Sequence, residues 1–238
     1  MLTTWNHHRN RFVLCALIFA SVFARAQSPA QVDMHMRLGN SVHPNDRLPP
    51  AVLWLTPLPG TPQQSFSPKG HYTLLQKNRM FFPHLLVVPV GSVVLFPNAD
   101  PFFHNVFSLF NGKRFDLGLY EAGSTKAVDF SREGVSYIFC NIHPEMSAVV
   151  LALSTPFYSI ADSTGSLSIQ NMPAGDYEMH LWVEGFTQPA LDRLARHVHL
   201  EPSSGNLGVL DTSEVARQPK SHLNKFGQPY DDGSKQPY

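Results

Sequence analysis

The chain is poor in cysteine, in charge and in helical periodicity. Only Cys15 and Cys140 occur among its 238 residues. There is no Cys-x-x-Cys-His run, so no covalently attached c-type haem is indicated. Charged residues make up 15% of the chain, well below the roughly 25% of ordinary soluble domains. Basic and acidic residues number 18 each, so the formal net charge is zero. That balance argues against a nucleic-acid surface or an acidic tail as the main function. No H-E-x-x-H, G-x-S-x-G or phosphate-binding loop is present, which removes the usual signatures of zinc proteases, α/β-hydrolases and P-loop proteins. No segment holds a helical period beyond a turn or two apart from 189–196, and no internal repeat is visible.

What is abundant points to strands and turns. The chain is 43% apolar, with 17 Phe, 20 Pro and 15 Gly, a profile that favours an all-β protein with a packed core. Strands are expected at 51–55, 71–75, 84–90, 92–96, 135–140 and 148–153, bounded by Pro, Gly and Asn. After Thr155-Pro156 two alternating runs follow, separated by Asp-Ser-Thr-Gly and Pro-Ala-Gly-Asp turns, and 194–200 with 206–211 read as one more strand pair. The polar stretch 214–238 has too little apolar content to offset ordering entropy and is expected to be disordered.

The first 26 residues read as an export signal. His7, His8, Arg9 and Arg11 precede an apolar run from Phe12 to Ala24, and Ala24-Arg25-Ala26 supplies a small-x-small cleavage site. The run of 13 residues is too short for a helix to span a hydrocarbon core ~30 Å thick, so no membrane span is expected after cleavage. Removing Arg9, Arg11 and Arg25 leaves 15 basic against 18 acidic residues, a balance of −3. Cleavage also removes Cys15. The mature protein then carries one thiol, Cys140, in an oxidising compartment with no intramolecular partner. It is a buried inert cysteine, one half of an intermolecular disulfide, or a metal thiolate.

The residues around it favour the metal. Cys140-Asn-Ile-His143-Pro-Glu-Met146 lies where a strand gives way to a loop, and Asn98-Ala-Asp-Pro-Phe-Phe-His104-Asn105-Val106 forms a second strand-end loop upstream. Together they offer a thiolate, two imidazoles and a thioether, a donor set that suits copper in both of its common oxidation states. Phe102, Phe103, Phe107 and Phe139 are placed to keep such a site dry. The pattern C-x-x-H-x-x-M with an upstream His-Asn-Val resembles the cupredoxins, with an amicyanin-like ligand loop, and Met80 to Asn98 is similar to strands of that fold. The resemblance implies a cupredoxin Greek-key β-sandwich over 67–154. It implies one type 1 copper held by His104, Cys140, His143 and an axial Met146, with Asn105 bracing the ligand loop. One remaining cysteine excludes a two-cysteine binuclear centre. The whole chain resembles plastocyanin-like periplasmic methylamine utilisation proteins.

A second module is expected around the first. Phe157 to Ile169 and Met172 to Trp182 resemble a carboxypeptidase-regulatory, transthyretin-like β-sandwich, and 31–57 resembles its opening strands. The reading is therefore a discontinuous sandwich of 27–66 with 155–213, into which the cupredoxin is inserted. Asp33-Met34-His35-Met36 reads as a strand with Val32, Met34 and Met36 on one face rather than as a Cu(I)-loading motif. His84, His180, His197 and His199 read as solvent-facing strand residues. Functionally, the resemblance implies a periplasmic electron carrier, not an enzyme, with a c-type cytochrome or a quinoprotein dehydrogenase as redox partner. A non-redox copper carrier or envelope binding module is the alternative.

Overall fold

The computed structural model describes residues 29–37, 47–67, 70–109, 112–202, 205–212 and 223–230. The expected signal at 1–26 lies outside them. Seventeen strands and one five-residue helix make up the described elements, so the protein is all-β as expected. β1 (Ala30–Arg37) and β2 (Ala51–Pro57) come first. Ten strands follow: β3 (His71–Thr73), β4 (Leu75–Lys77), β5 (Met80–Phe82), β6 (Leu85–Pro89), β7 (Ser92–Pro97), β8 (His104–Ser108), β9 (Phe115–Tyr120), β10 (Thr125–Phe130), β11 (Gly134–Cys140) and β12 (Ser147–Leu153). The chain ends with β13 (Tyr158–Ile160), β14 (Ser166–Met172), β15 (Gly175–Val183), α1 (Gln188–Asp192), β16 (Arg196–Leu200) and β17 (Gly205–Asp211).

The middle strands form one sandwich. A sheet in the order β10-β7-β3 faces a five-stranded sheet in the order β6-β12-β11-β8-β9. Leu74, Phe96, Val106, Tyr120, Phe130, Ile138 and Val150 fill the space between them, and Cys140 and Met146 belong to the same buried cluster.

The first and last strands belong together. β1 lies between β14 and β17, and β2 lies between β13 and β15, with β16 on the outer side of β15. Strands before residue 58 thus pair only with strands after residue 157. β1 reads in strict alternation: Ala30, Val32, Met34 and Met36 are buried, and the residues between them are exposed. The Asp162–Gly165 turn is tight. Gly165 has φ +85°, and a Cβ there would come within 2.6 Å of the Met36 carbonyl oxygen, which makes glycine the fitting residue. The strands at 196–200 and 205–211 exist as read, but they do not pair. β16 joins β15 antiparallel while β17 joins β1 in parallel.

One strand serves both bodies. Ala148, Val150 and Ala152 of β12 point into the first core, while Val149, Leu151 and Leu153 join a second core with Leu53, Leu55, Tyr177, Leu181 and Trp182. Its sequence SAVVLAL is apolar without alternation because both faces are covered. Polar contacts line the seam. Trp182 Nε1 donates to the Tyr137 hydroxyl at 3.1 Å. The His84 ring faces the Ser147 carbonyl at 3.1 Å through Nδ1 and the Glu184 carboxylate at 2.5 Å through Nε2. His84 is therefore a half-buried junction residue, not the solvent-facing one expected.

The 214–238 expectation is corrected for 223–230. Those residues form a turn, with Gly227 N and Asn224 N closing onto Asn224 O and Gln228 O, and they bond to the loop after β11. Short-range composition carries no sign of that docking, which polar side chains and backbone groups make.

Candidate metal centre

Two connections at one end of the first sandwich build the site. The β7–β8 connection is folded by its own side chains. Asn98 Oδ1 accepts from the Asp100 backbone N–H at 3.0 Å, and Asn98 Nδ2 donates to the Phe102 carbonyl at 2.8 Å. This turn sets Asp100 against His104, whose Nε2 donates to Asp100 Oδ2 at 2.9 Å. The bond fixes the tautomer and leaves Nδ1 as the free lone pair. Asp100 also accepts from the backbone N–H groups of Asn78 and Arg79, at 2.6 and 3.0 Å. Burial alone would raise its pKa, but these donors outweigh burial and hold it below the usual carboxylate range.

The β11–β12 connection carries the other groups. Cys140 N–H donates to the Met146 carbonyl at 3.2 Å and Met146 N–H to the His143 carbonyl at 3.1 Å, which closes C-x-x-H-x-x-M into a tight loop. Asn141 N–H donates to the Asn105 carbonyl at 2.9 Å and docks the loop on β8. Asn105 thus braces the loop through its main chain, while its side-chain amide donates to Asp116 Oδ1 at 2.6 Å.

The groups converge. Cys140 Sγ lies 3.6 Å from His104 Nδ1 and 3.5 Å from His143 Nδ1, and all three atoms fall within 4.8 Å of one another. For a zinc-sized ion with bonds of about 2.3 Å to sulfur and 2.0–2.1 Å to nitrogen, angles between tetrahedral and trigonal give sulfur–nitrogen separations of about 3.6–3.8 Å. Both sulfur–nitrogen distances therefore already match ligand spacing. His104 and Cys140 are fully buried and His143 is half-buried. Met146 is fully buried in the same cluster as Cys140.

Ionisation suits a metal. Burial pushes the His104 pKa down, and the Asp100 carboxylate only partly restores it. Burial also pushes His143 down, helped by the repulsion a protonated His104 would exert and by the Arg79 guanidinium. Both imidazoles are thus neutral at pH 7, the form that binds metals. Burial raises the Cys140 thiol, against backbone N–H donors from Asn105, Ile142 and His143 that pull it down. Those donors stand ready for a thiolate once a cation displaces the proton. Phe102 packs on both imidazoles, with centroids 5.4 Å from His104 and 5.5 Å from His143, and the Arg79 guanidinium sits 5.3 Å above the Phe102 ring.

Of the phenylalanines expected to dry the site, Phe102 does so. Phe107 and Phe139 pair with each other at 5.9 Å, where strand alternation places them opposite Cys140. Phe103 is 51% exposed. The Asp33–Met36 segment contributes nothing, since Met34 and Met36 face the second core. Sequence reading assigned no role to Asp100, Arg79, Asn141 or Asp116. Asp100 alone carried a signal, a carboxylate four residues before a ligand histidine in an Asn-x-Asp turn.

A family model, Polysaccharide lyase family 4, domain II, matches residues 153–193. No curated protein matches the chain. Similar solved structures include cupredoxins and a copper-containing nitrite reductase. A purple cupredoxin from Nitrosopumilus maritimus is 26% identical, with 36% of this chain and 100% of that one covered and a TM-score of 0.32. A copper-containing nitrite reductase from Thermus scotoductus SA-01 is 21% identical over 41% of this chain, at a TM-score of 0.34, and the match spans only 28% of the reductase. A Cu(I) amicyanin variant is 18% identical, with 35% of this chain and 83% of that one covered and a TM-score of 0.33.

Proposed function

We propose that the protein is an exported, periplasmic electron carrier with one type 1 copper per chain, held by His104, Cys140 and His143 with Met146 as the weak axial ligand. The observation that supports this most is the buried convergence of one thiol and two neutral imidazoles at ligand spacing. A trigonal His2Cys set with a thioether alongside suits copper in electron transfer, where the protein tunes the potential through the axial ligand and the hydrogen bonds around sulfur. Copper there would supply a one-electron couple.

The chain's own residues do the rest. Asp100 orients His104, backbone N–H groups solvate the thiolate, and Phe102 with the packed core excludes water. A set of four protein ligands leaves no open position for a substrate, which supports a carrier rather than an enzyme. His143 is the ligand nearest solvent, and exposed Ile142 (43%) and Phe103 (51%) stand in the two ligand connections. That apolar rim suits a neutral docking surface on a c-type cytochrome or quinoprotein dehydrogenase. The outer strands, 27–66 with 155–213, are proposed as one discontinuous carboxypeptidase-regulatory-like sandwich; pairing of β1 and β2 with β13–β17 supports it.

Cyclic voltammetry of the copper-loaded mature protein tests the carrier role. A reversible one-electron wave with rapid exchange is expected. Slow or absent exchange, together with handover of Cu(I) to a competing chelator protein, would instead mark a copper carrier.

A further inference from the structure

The segment 223–230 lies far from the ligands in sequence yet bonds to their loop. Tyr230 donates its hydroxyl hydrogen to the Cys140 carbonyl at 2.8 Å. Lys225 N–H donates to Asn141 Oδ1 at 3.0 Å, and Lys225 Nζ meets Asp116 Oδ2 at 2.9 Å. Asp116 Oδ1 accepts in turn from Asn105 Nδ2 at 2.6 Å, and the Asn105 carbonyl accepts from Asn141 N–H at 2.9 Å. The four residues close a ring: Lys225 to Asp116, Asp116 to Asn105, Asn105 to Asn141, Asn141 back to Lys225. Asn105 follows His104 and Asn141 follows Cys140 in the chain, so the ring grips the main chain beside two of the three donors.

We infer that 223–230 is a strap that positions the metal-ligand loop, with Tyr230 and Lys225 as its two fastenings. Geometry supports positioning rather than bulk stability. Leu223 and Phe226 are exposed and add no apolar area to either core. Polar bonds at the ligand loop are what the strap contributes. The inference rests on the metal-site reading for its functional meaning, but the holding of the loop is testable without metal.

The test has two arms on the mature chain, with Tyr230→Phe, Lys225→Met, Lys225→Arg and a truncation after residue 222. The first arm measures the alkylation rate of the Cys140 thiol in metal-free protein. Loss of one ordinary hydrogen bond should raise the opening equilibrium, and so the rate, about fivefold in Tyr230→Phe. Truncation should raise it further, and Lys225→Arg should restore what Lys225→Met loses. Equal rates in the full chain, Tyr230→Phe and the truncation would overturn the strap. The second arm measures the sulfur-to-copper absorption band and reduction potential. Both should move on truncation while copper stoichiometry holds, and an unmoved band and potential would overturn the positioning role. If the full chain itself lacks the band, the copper reading fails and the alkylation rates decide the strap alone.

Discussion

At the scale of single residues, the site divides into groups that would bind and groups that aim them. Asp100 belongs to the second kind. Asp100→Asn keeps the shape but weakens the acceptor for His104 Nε2. Losses of such partners lower metal affinity roughly 10–100-fold, and a competition titration with a chromophoric chelator measures it. Affinity equal to wild type would show that the turn alone orients the ring. Met146→Leu should leave the sulfur-to-copper band in place while shifting the potential, which voltammetry reads. The candidate ligands were legible in the sequence because order and spacing are local properties. Asp116 and Asn141 were not, because their partners come from elements that only the fold brings close; Asp100 carried a local signal, four residues before His104, that was passed over. Phe107 and Phe139 misled for a different reason. Their proximity in sequence to the donors hides the fact that alternation turns them to the opposite face.

At the scale of elements, many strands were legible, but β5, β8, β9 and β10 were not read, and strand partners were not legible. Alternation or apolar runs mark β1, β2, β7, β11 and β12 clearly. The pairing of β17 with β1 depends on a register across most of the chain, which no local signal encodes. The β6–β12 edge carries a pH-sensitive joint. Both ring nitrogens of His84 face oxygen acceptors, so the protonated ring satisfies both. The Glu184 hydrogen bond, against partial burial, raises its pKa above the ordinary value. A raised pKa means the contribution is complete below about pH 6.5, the unfolded value, and is lost as pH rises through the folded value. Denaturant midpoints of wild type and His84→Gln should therefore differ most at pH 5.5–6 and converge at alkaline pH. A difference that grows with pH would contradict this joint.

At the scale of the molecule, β12 welds two cores by burying Val149, Leu151 and Leu153 in one cluster with Leu53, Leu181 and Trp182. The two bodies should unfold in one transition, followed by near-ultraviolet circular dichroism and tryptophan fluorescence together. Leu151→Ala should cost about 2–5 kcal/mol and move both probes equally; separate midpoints would show that the seam does not couple them. Among the described residues no helix is long and apolar enough to cross a membrane, and the single buried thiol stands beside two imidazoles rather than alone in a core. The optical spectrum of the chain without residues 1–26, taken after one equivalent of Cu(II), decides whether the thiol and imidazoles form a type 1 site. The expected result is an intense visible sulfur-to-copper charge-transfer band that Cys140→Ser abolishes; only weak tetragonal copper bands, unchanged by that substitution, would contradict such a site.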